Sequence, residues 1–165
     1  MEIPNKNNVI TTSDGYEVIV DEADYKKFNA WKWRISEFGY AKRTFNCKRS
    51  IYLHKEIMNC EPGQLIDHIN RNKLDNRKSN LRLCTVQQNN QNRGKNSNKK
   101  SSLFKGVHFE KRKNHIKRWY VKIGSKEKNY TSKCFMTELE AKNHYDKKAL
   151  ELFGEFAYTN ERSIV

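Results

Sequence analysis

Residues 94–102 read GKNSNKKSS, a run without one aliphatic or aromatic side chain. Such a stretch buries nothing and reads as a linker. It leaves 93 residues before it and 63 after it, enough for small domains only. Hydrophobic residues make up 36% of the 165, so no single large core is expected. The 8 Tyr, 8 Phe and 3 Trp nevertheless argue against a disordered chain. The pattern predicts small modules pinned by aromatic side chains.

Before the linker, residues 1–53 alternate short β-like runs with turns. YEVIVD, KWRIS, GYAKRTF and RSIYLH read as strands, and DEADYKKFNAW as a short helix. Trp31, Trp33, Phe38, Tyr40 and Tyr52 are the expected core of this β-rich module. Residues 54–93 end in a helix signal: Thr85 and Gln88 form a capping box, the helix covers 86–93, and Gly94 stops it. After the linker, residues 103–160 hold three strands, LFKGVHFE, RWYVKIG and KNYTSKCF. A second capping box, Thr137 with Glu140, opens a helix with Ala141, Tyr145, Ala149, Leu152 and Phe153 on one face and Gly154 as its stop. Three strands on one amphipathic helix make a minimal α+β domain. Period-two alternation puts Trp119, Val121 and Ile123 toward that helix and leaves Tyr120 and Lys122 on the outer face.

Charge narrows the partner. The net charge is +14 and the pI near 9.7. Between 95 and 133 there are 13 Lys and Arg against two acids, Glu110 and Glu127. A field of this sign gathers polyanions, and nucleic acid is the leading one. No helix pairs a basic face with a Leu/Phe/Trp face, and no apolar run has the roughly 20 residues of a membrane span. MEIPNKNN is not a signal peptide, so an intracellular, soluble protein is expected. Cys47, Cys60, Cys84 and Cys134 form no C-x-x-C pair, which reads as reduced thiols and not a cysteine zinc site.

Within IDHINRNKLDNRKSNLR, residues 66–82, an acid stands beside a histidine. Phosphodiester hydrolysis needs a base for water and a cation for the charge on phosphate. Histidine titrates in the right range for the base, and a carboxylate suits the cation. Adjacent strand residues point to opposite faces, so Asp67 and His68 serve one site only if the chain bends there. A strand at Asn80–Cys84 would return beside the first, and Asn89 lies one turn into the helix that follows. Residues 69–79 are expected to be connection alone.

IDHINRNKLDNRKSNLRLCTVQQNNQNR, with YLHKEIMN before it, resembles the His-Asn-His (HNH) endonucleases of phage and homing type, which have the ββα-metal fold. The resemblance covers about 54–93. It implies Asp67 as a metal ligand, His68 as general base and Asn80 as the asparagine that braces the loop and orients His68. The family's last position, often His, is Asn89 here. Asp67 and Asn89 would form an oxygen-only pair, which favours Mg²⁺ or Mn²⁺ over zinc. His54 is expected in a structural role.

The segment from Ser101 to Asn160 resembles the ethylene-response-factor (Apetala-type) DNA-binding domain, through FKGV, RWYVKI, the F-x-T-x-x-E-A-x-x-x-Y-D-x-x-A pattern and FGEFAYTN. That resemblance implies an exposed sheet face in the major groove. The face would include Lys105, His108, Tyr120, Lys122, Asn129 and Thr131, with Arg112 and Arg118 in the basic hairpin beside it. Together these imply a metal-dependent endonuclease on double-stranded DNA, phage-encoded and acting in the host cytoplasm, a monomer or weak homodimer. A DNA-binding transcriptional regulator without catalysis is the alternative.

Overall fold

The computed structural model describes residues 8–46, 49–95, 102–110, 118–124 and 129–163. The described chain mixes helices with small antiparallel sheets and divides into two compact units, residues 1–85 and 86–165. The expected linker lies almost wholly outside the described residues, as do Arg112, Lys111, Lys113 and Lys117 of the basic hairpin.

In the first unit, β1 (Val9–Thr11) and β2 (Glu17–Ile19) form a hairpin, followed by α1 (Glu22–Phe28). β3 (Arg34–Ile35), β4 (Ala41–Phe45) and β5 (Arg49–Tyr52) make a three-stranded sheet in chain order, and β5 runs directly into α2 (Leu53–Ile57). β6 (Leu65–His68) then pairs with β7 (Leu81–Cys84). Ile10, Val18, Val20, Phe28, Trp33, Ala41, Leu53, Ile57, Ile66 and Leu81 share one core, which therefore crosses the boundary expected at 53/54. Only Trp33 of the expected aromatic core is fully buried; its indole Nε1 donates to the Phe28 carbonyl at 2.9 Å. Trp31 and Phe38 are 49% and 63% exposed. Most of the core is aliphatic instead, with Phe28 and Trp33 as its buried aromatic rings.

The second unit begins with α3 (Val86–Asn92), followed by β8 (Val107–Glu110), β9 (Arg118–Gly124) and β10 (Asn129–Thr131), then α4 (Glu138–Phe153). The sheet order is β10-β9-β8, antiparallel throughout. Val107, Val121 and Ile123 pack on Ala141, Tyr145 and Ala149 of α4. Thr137 Oγ1 accepts from the Glu140 N–H at 3.2 Å and the Glu140 carboxylate accepts from the Thr137 N–H at 3.3 Å, completing the capping box. Leu152 departs from the expected buried face at 38% exposed, whereas its neighbour Phe153 packs against the core. Gly106 is forced: at φ 71° a Cβ there would lie 2.2 Å from a ring carbon of Tyr145.

Candidate active site

Asp67 and His68 are the last two residues of β6, and both are buried. The antiparallel register sets Asp67 directly opposite Arg82 and His68 opposite Leu81. Cross-strand partners meet side chain to side chain. Arg82 uses that proximity: its Nη2 and Nε donate to Asp67 Oδ2 at 2.7 and 3.0 Å. The carboxylate is thereby held in one orientation. The bend needed after these residues is present. The Arg71 N–H donates to the His68 carbonyl at 2.9 Å, and Arg71 itself adopts φ 66°.

The segment that follows is far more than connection. Asn70 Oδ1 accepts from the Asn72 N–H and Asn72 Oδ1 from the Leu74 N–H, two successive Asx turns. Asp75 is buried, yet Arg77 Nε and Nη2 and Asn70 Nδ2 all donate to it at 2.8 Å. Burial acts to raise the Asp75 carboxyl, but the bonds and charge of Arg77 outweigh it and the group lies below its ordinary value. Asn80 closes the loop from inside: its Oδ1 accepts from the Asn70 N–H at 2.9 Å and its Nδ2 donates to the Asp75 carbonyl at 2.7 Å. Loop and first hairpin are joined through backbone. The Ile19 N–H donates to the Leu74 carbonyl at 2.8 Å, and the Asn76 N–H to the Ile19 carbonyl at 2.7 Å.

Aromatic rings wall the histidine. The His68 ring centroid lies 5.8 Å from Tyr40 and 5.4 Å from His54, the latter edge-on. His54 also packs on Tyr40 at 5.0 Å and Tyr52 at 5.7 Å. Its buried Nδ1 has no hydrogen-bond partner among the described residues. Burial foremost, then the neighbouring His68 and Lys55, pull the His54 imidazole down to about 3. His68 is lowered as well, chiefly by burial and against the opposing pull of the Asn76 bond and the Asp67 and Asp75 charges. Both rings are therefore neutral at pH 7, the state a base requires.

Residues 59–91, which contain this hairpin and loop, match the family model described as HNH endonuclease. The chain is also 44% identical over 135 residues to an uncharacterized HNH endonuclease of Acanthamoeba polyphaga mimivirus, covering 79% of this chain and 67% of the relative. The chain belongs to the HNH endonuclease family. No solved structure matches it.

HNH nucleases generally use a divalent metal ion. Among the described residues no group of three or more His, Cys, Asp or Glu is placed to hold an ion; Asp67 offers a buried, oriented carboxylate and Asn89 an exposed amide oxygen, each a hard donor. Asn89 lies on α3, in the second compact unit, whereas Asp67, His68 and Asn80 lie in the first. In that second unit the sheet gathers most of the residues expected to touch DNA. His108 pairs with Tyr120 and Lys122 with Thr131, while Arg118 and Asn129 lie two residues from Tyr120 and Thr131, so all share the face opposite α4. The His108 and Tyr120 rings stack at 5.4 Å. Lys105 is placed otherwise: its Nζ donates to the Gln91 carbonyl at 2.9 Å and the Arg93 carbonyl at 2.5 Å, at the C-terminal end of α3.

Arg82, Asn76, Asp75 and Arg77 stand outside the expected set of site residues. Arg82 was findable, because pairing 65–68 against 81–84 places it across from Asp67. Asn76, Asp75 and Arg77 gave no signal beyond general polarity, since their partners depend on the turns of the loop.

Proposed function

We infer that this HNH-family protein hydrolyses phosphodiester bonds in double-stranded DNA. The observation that carries the reading is the buried Asp67–His68 pair at the end of β6, enclosed by the loop that Asn80 braces. In this reading neutral His68 takes a proton from the attacking water, and Tyr40 and His54 keep bulk solvent from its flanks. Arg82 fixes the Asp67 carboxylate, and Asn80 braces the loop that follows the base. Asp67 and Asn89 would hold the divalent ion, Mg²⁺ or Mn²⁺, which supplies charge neutralisation to the phosphate and the departing 3′ oxygen. Products carry 5′-phosphate and 3′-hydroxyl ends. The outer face of the β8–β10 sheet, with Arg118, His108, Tyr120, Lys122, Asn129 and Thr131, binds the duplex as an Apetala-type reader, and Arg112 is assigned to DNA binding by its sequence position alone.

One active site per chain nicks one strand, so double-strand cleavage takes two nicks or a weak dimer. The viral relative agrees with a phage or virus-encoded enzyme that meets DNA in a host cell. The test is plasmid cleavage by purified protein with Mg²⁺, Mn²⁺ or EDTA, beside His68→Ala. Metal-dependent cleavage lost in His68→Ala is expected; equal nicking by both proteins rejects the assignment. The basic sheet face would equally serve a binding-only regulator. Tight gel shifts without cleavage under any metal would identify that case.

A further inference from the structure

We propose that Asn76 sets the tautomer and orientation of His68, so that the proton on the ring sits at Nε2 and Nδ1 is the atom that accepts the proton from water. The inference rests on His68 being the base, and it names an atom and a positioning residue for that role.

Asn76 is 1% exposed and lies in the middle of the loop. Its backbone cannot drift, because its N–H is spent on the Ile19 carbonyl at 2.7 Å at the edge of β2. Its side-chain amide has a fixed sense. One end of that amide sits 3.2 Å from the Lys73 carbonyl oxygen, which can only accept, so this end is the NH₂ group. The other end is therefore Oδ1, and it lies 3.4 Å from His68 Nε2. An amide oxygen can only accept, so the imidazole nitrogen facing it carries hydrogen. Flipping the amide would set oxygen against oxygen at Lys73 and NH₂ against N–H at His68. The Lys73 carbonyl thus decides, through Asn76, which nitrogen of His68 keeps its lone pair.

The length of the contact has a mechanistic meaning. At 3.4 Å it is a slack bond to a neutral ring. When Nδ1 accepts a proton the ring becomes cationic, Nε2–H becomes a stronger donor, and the bond to Oδ1 tightens. The interaction then grows on the way to the transition state, and its loss falls on kcat and not on KM. His54 and Tyr40, packed on the ring, restrict the other rotations that would let Nε2 leave Asn76. Asn80 acts on the loop backbone in the same structure, so bracing and orienting are divided between two asparagines.

The experiment uses the full chain with ¹⁵N-labelled histidine and long-range ¹H–¹⁵N correlation above pH 7. His68 is assigned among the five histidines by its absence in His68→Ala. The wild type is expected to show His68 protonated at Nε2. Asn76→Leu and Asn76→Asp both lose the donor to Lys73, and only the aspartate keeps an oxygen toward Nε2. Asn76→Leu is expected to admit the Nδ1–H tautomer and to lower kcat about ten- to a hundredfold with KM for duplex unchanged. Asn76→Asp, which sets its second oxygen against the Lys73 carbonyl, is expected to keep the Nε2–H tautomer even where it lowers stability. An Nδ1–H ring in the wild type, or folded Asn76→Leu with wild-type tautomer and kcat, overturns the proposal. Should Asn76→Leu fail to fold, the wild-type spectrum and Asn76→Asp decide it. If His68→Ala cleaves like wild type, the base assignment fails instead, a result the tautomer measurement cannot produce.

Discussion

Replacing Asn80 with alanine removes two hydrogen bonds and little volume. The bond from Asn80 Nδ2 to the Asp75 carbonyl, 2.7 Å, is buried at both ends. Without it the carbonyl is left unpaired in the interior, which costs about 1–3 kcal/mol. The bond from the Asn70 N–H to Asn80 Oδ1, 2.9 Å, is partly buried, and water replaces part of it. Its loss costs about 0.5–1.5 kcal/mol. Together Asn80→Ala should destabilise the first unit by about 2–4 kcal/mol, or roughly 10–25 °C of melting temperature for a unit of this size. Urea titration by tryptophan fluorescence measures it, in a Trp119→Phe background so that Trp31 and Trp33 report the first unit alone. Asn80→Asp separates the two bonds, since it keeps the acceptor for Asn70 and loses the donor to Asp75. It should cost nearly as much as alanine, because the buried bond is the one removed. A loss below about 0.5 kcal/mol for Asn80→Ala refutes the view that this side chain holds the loop.

Stability should also fall with acid through His54. Its folded value near 3 lies below the ordinary 6.5, so between these the unfolded chain binds a proton that the folded chain refuses. The contribution is full above pH 6.5 and declines at up to about 1.4 kcal/mol per pH unit below it; His54→Phe should flatten the difference between pH 6.5 and 4.5, and parallel curves refute the cause. Gly106→Ala should cost the second unit about 3 kcal/mol or more, since a Cβ at φ 71° would also clash with Tyr145, as thermal unfolding will show. Arg118→Ala and Lys122→Ala should each reduce the slope of log Kd for duplex against log salt by about 1. Lys105→Ala should leave that slope nearly unchanged and instead speed amide exchange at the end of α3, because its ammonium is committed to the Gln91 and Arg93 carbonyls.

What the sequence made legible was whatever depends on local period or on a cap. β6 and β7, the start of α3, the outer face of β9 and the Thr137–Glu140 box all follow from alternation and from side chains that reach one turn. The aromatic core of the first unit was not legible, because composition counts tryptophans without saying which faces inward: Trp33 does and Trp31 does not. The order of the loop between Asn70 and Asn80 is not legible, because it comes from Asn, Asp and Arg side chains bonding to one another. Polar residues in that arrangement look like any solvated loop until the turns are known. The contacts of Lys105 to the carbonyls at the end of α3 were equally illegible, since they depend on where the two segments meet.

The union of the loop with the first hairpin bears on how portable the nuclease motif is. The Ile19 and Asn76 bonds, together with the Lys78 N–H donating to Asp21 Oδ2 at 2.8 Å, stitch the loop after His68 to residues more than fifty positions earlier. Contacts of that separation form late and only after the early segment is in place. A fragment cut to the family motif alone would carry Asp67, His68 and Asn80 but lack the edge that holds Asn76. Transplanting the chemistry into another scaffold therefore means moving the β1–β2 hairpin with it, and an insertion or truncation before residue 20 should silence cleavage as surely as a change at the histidine.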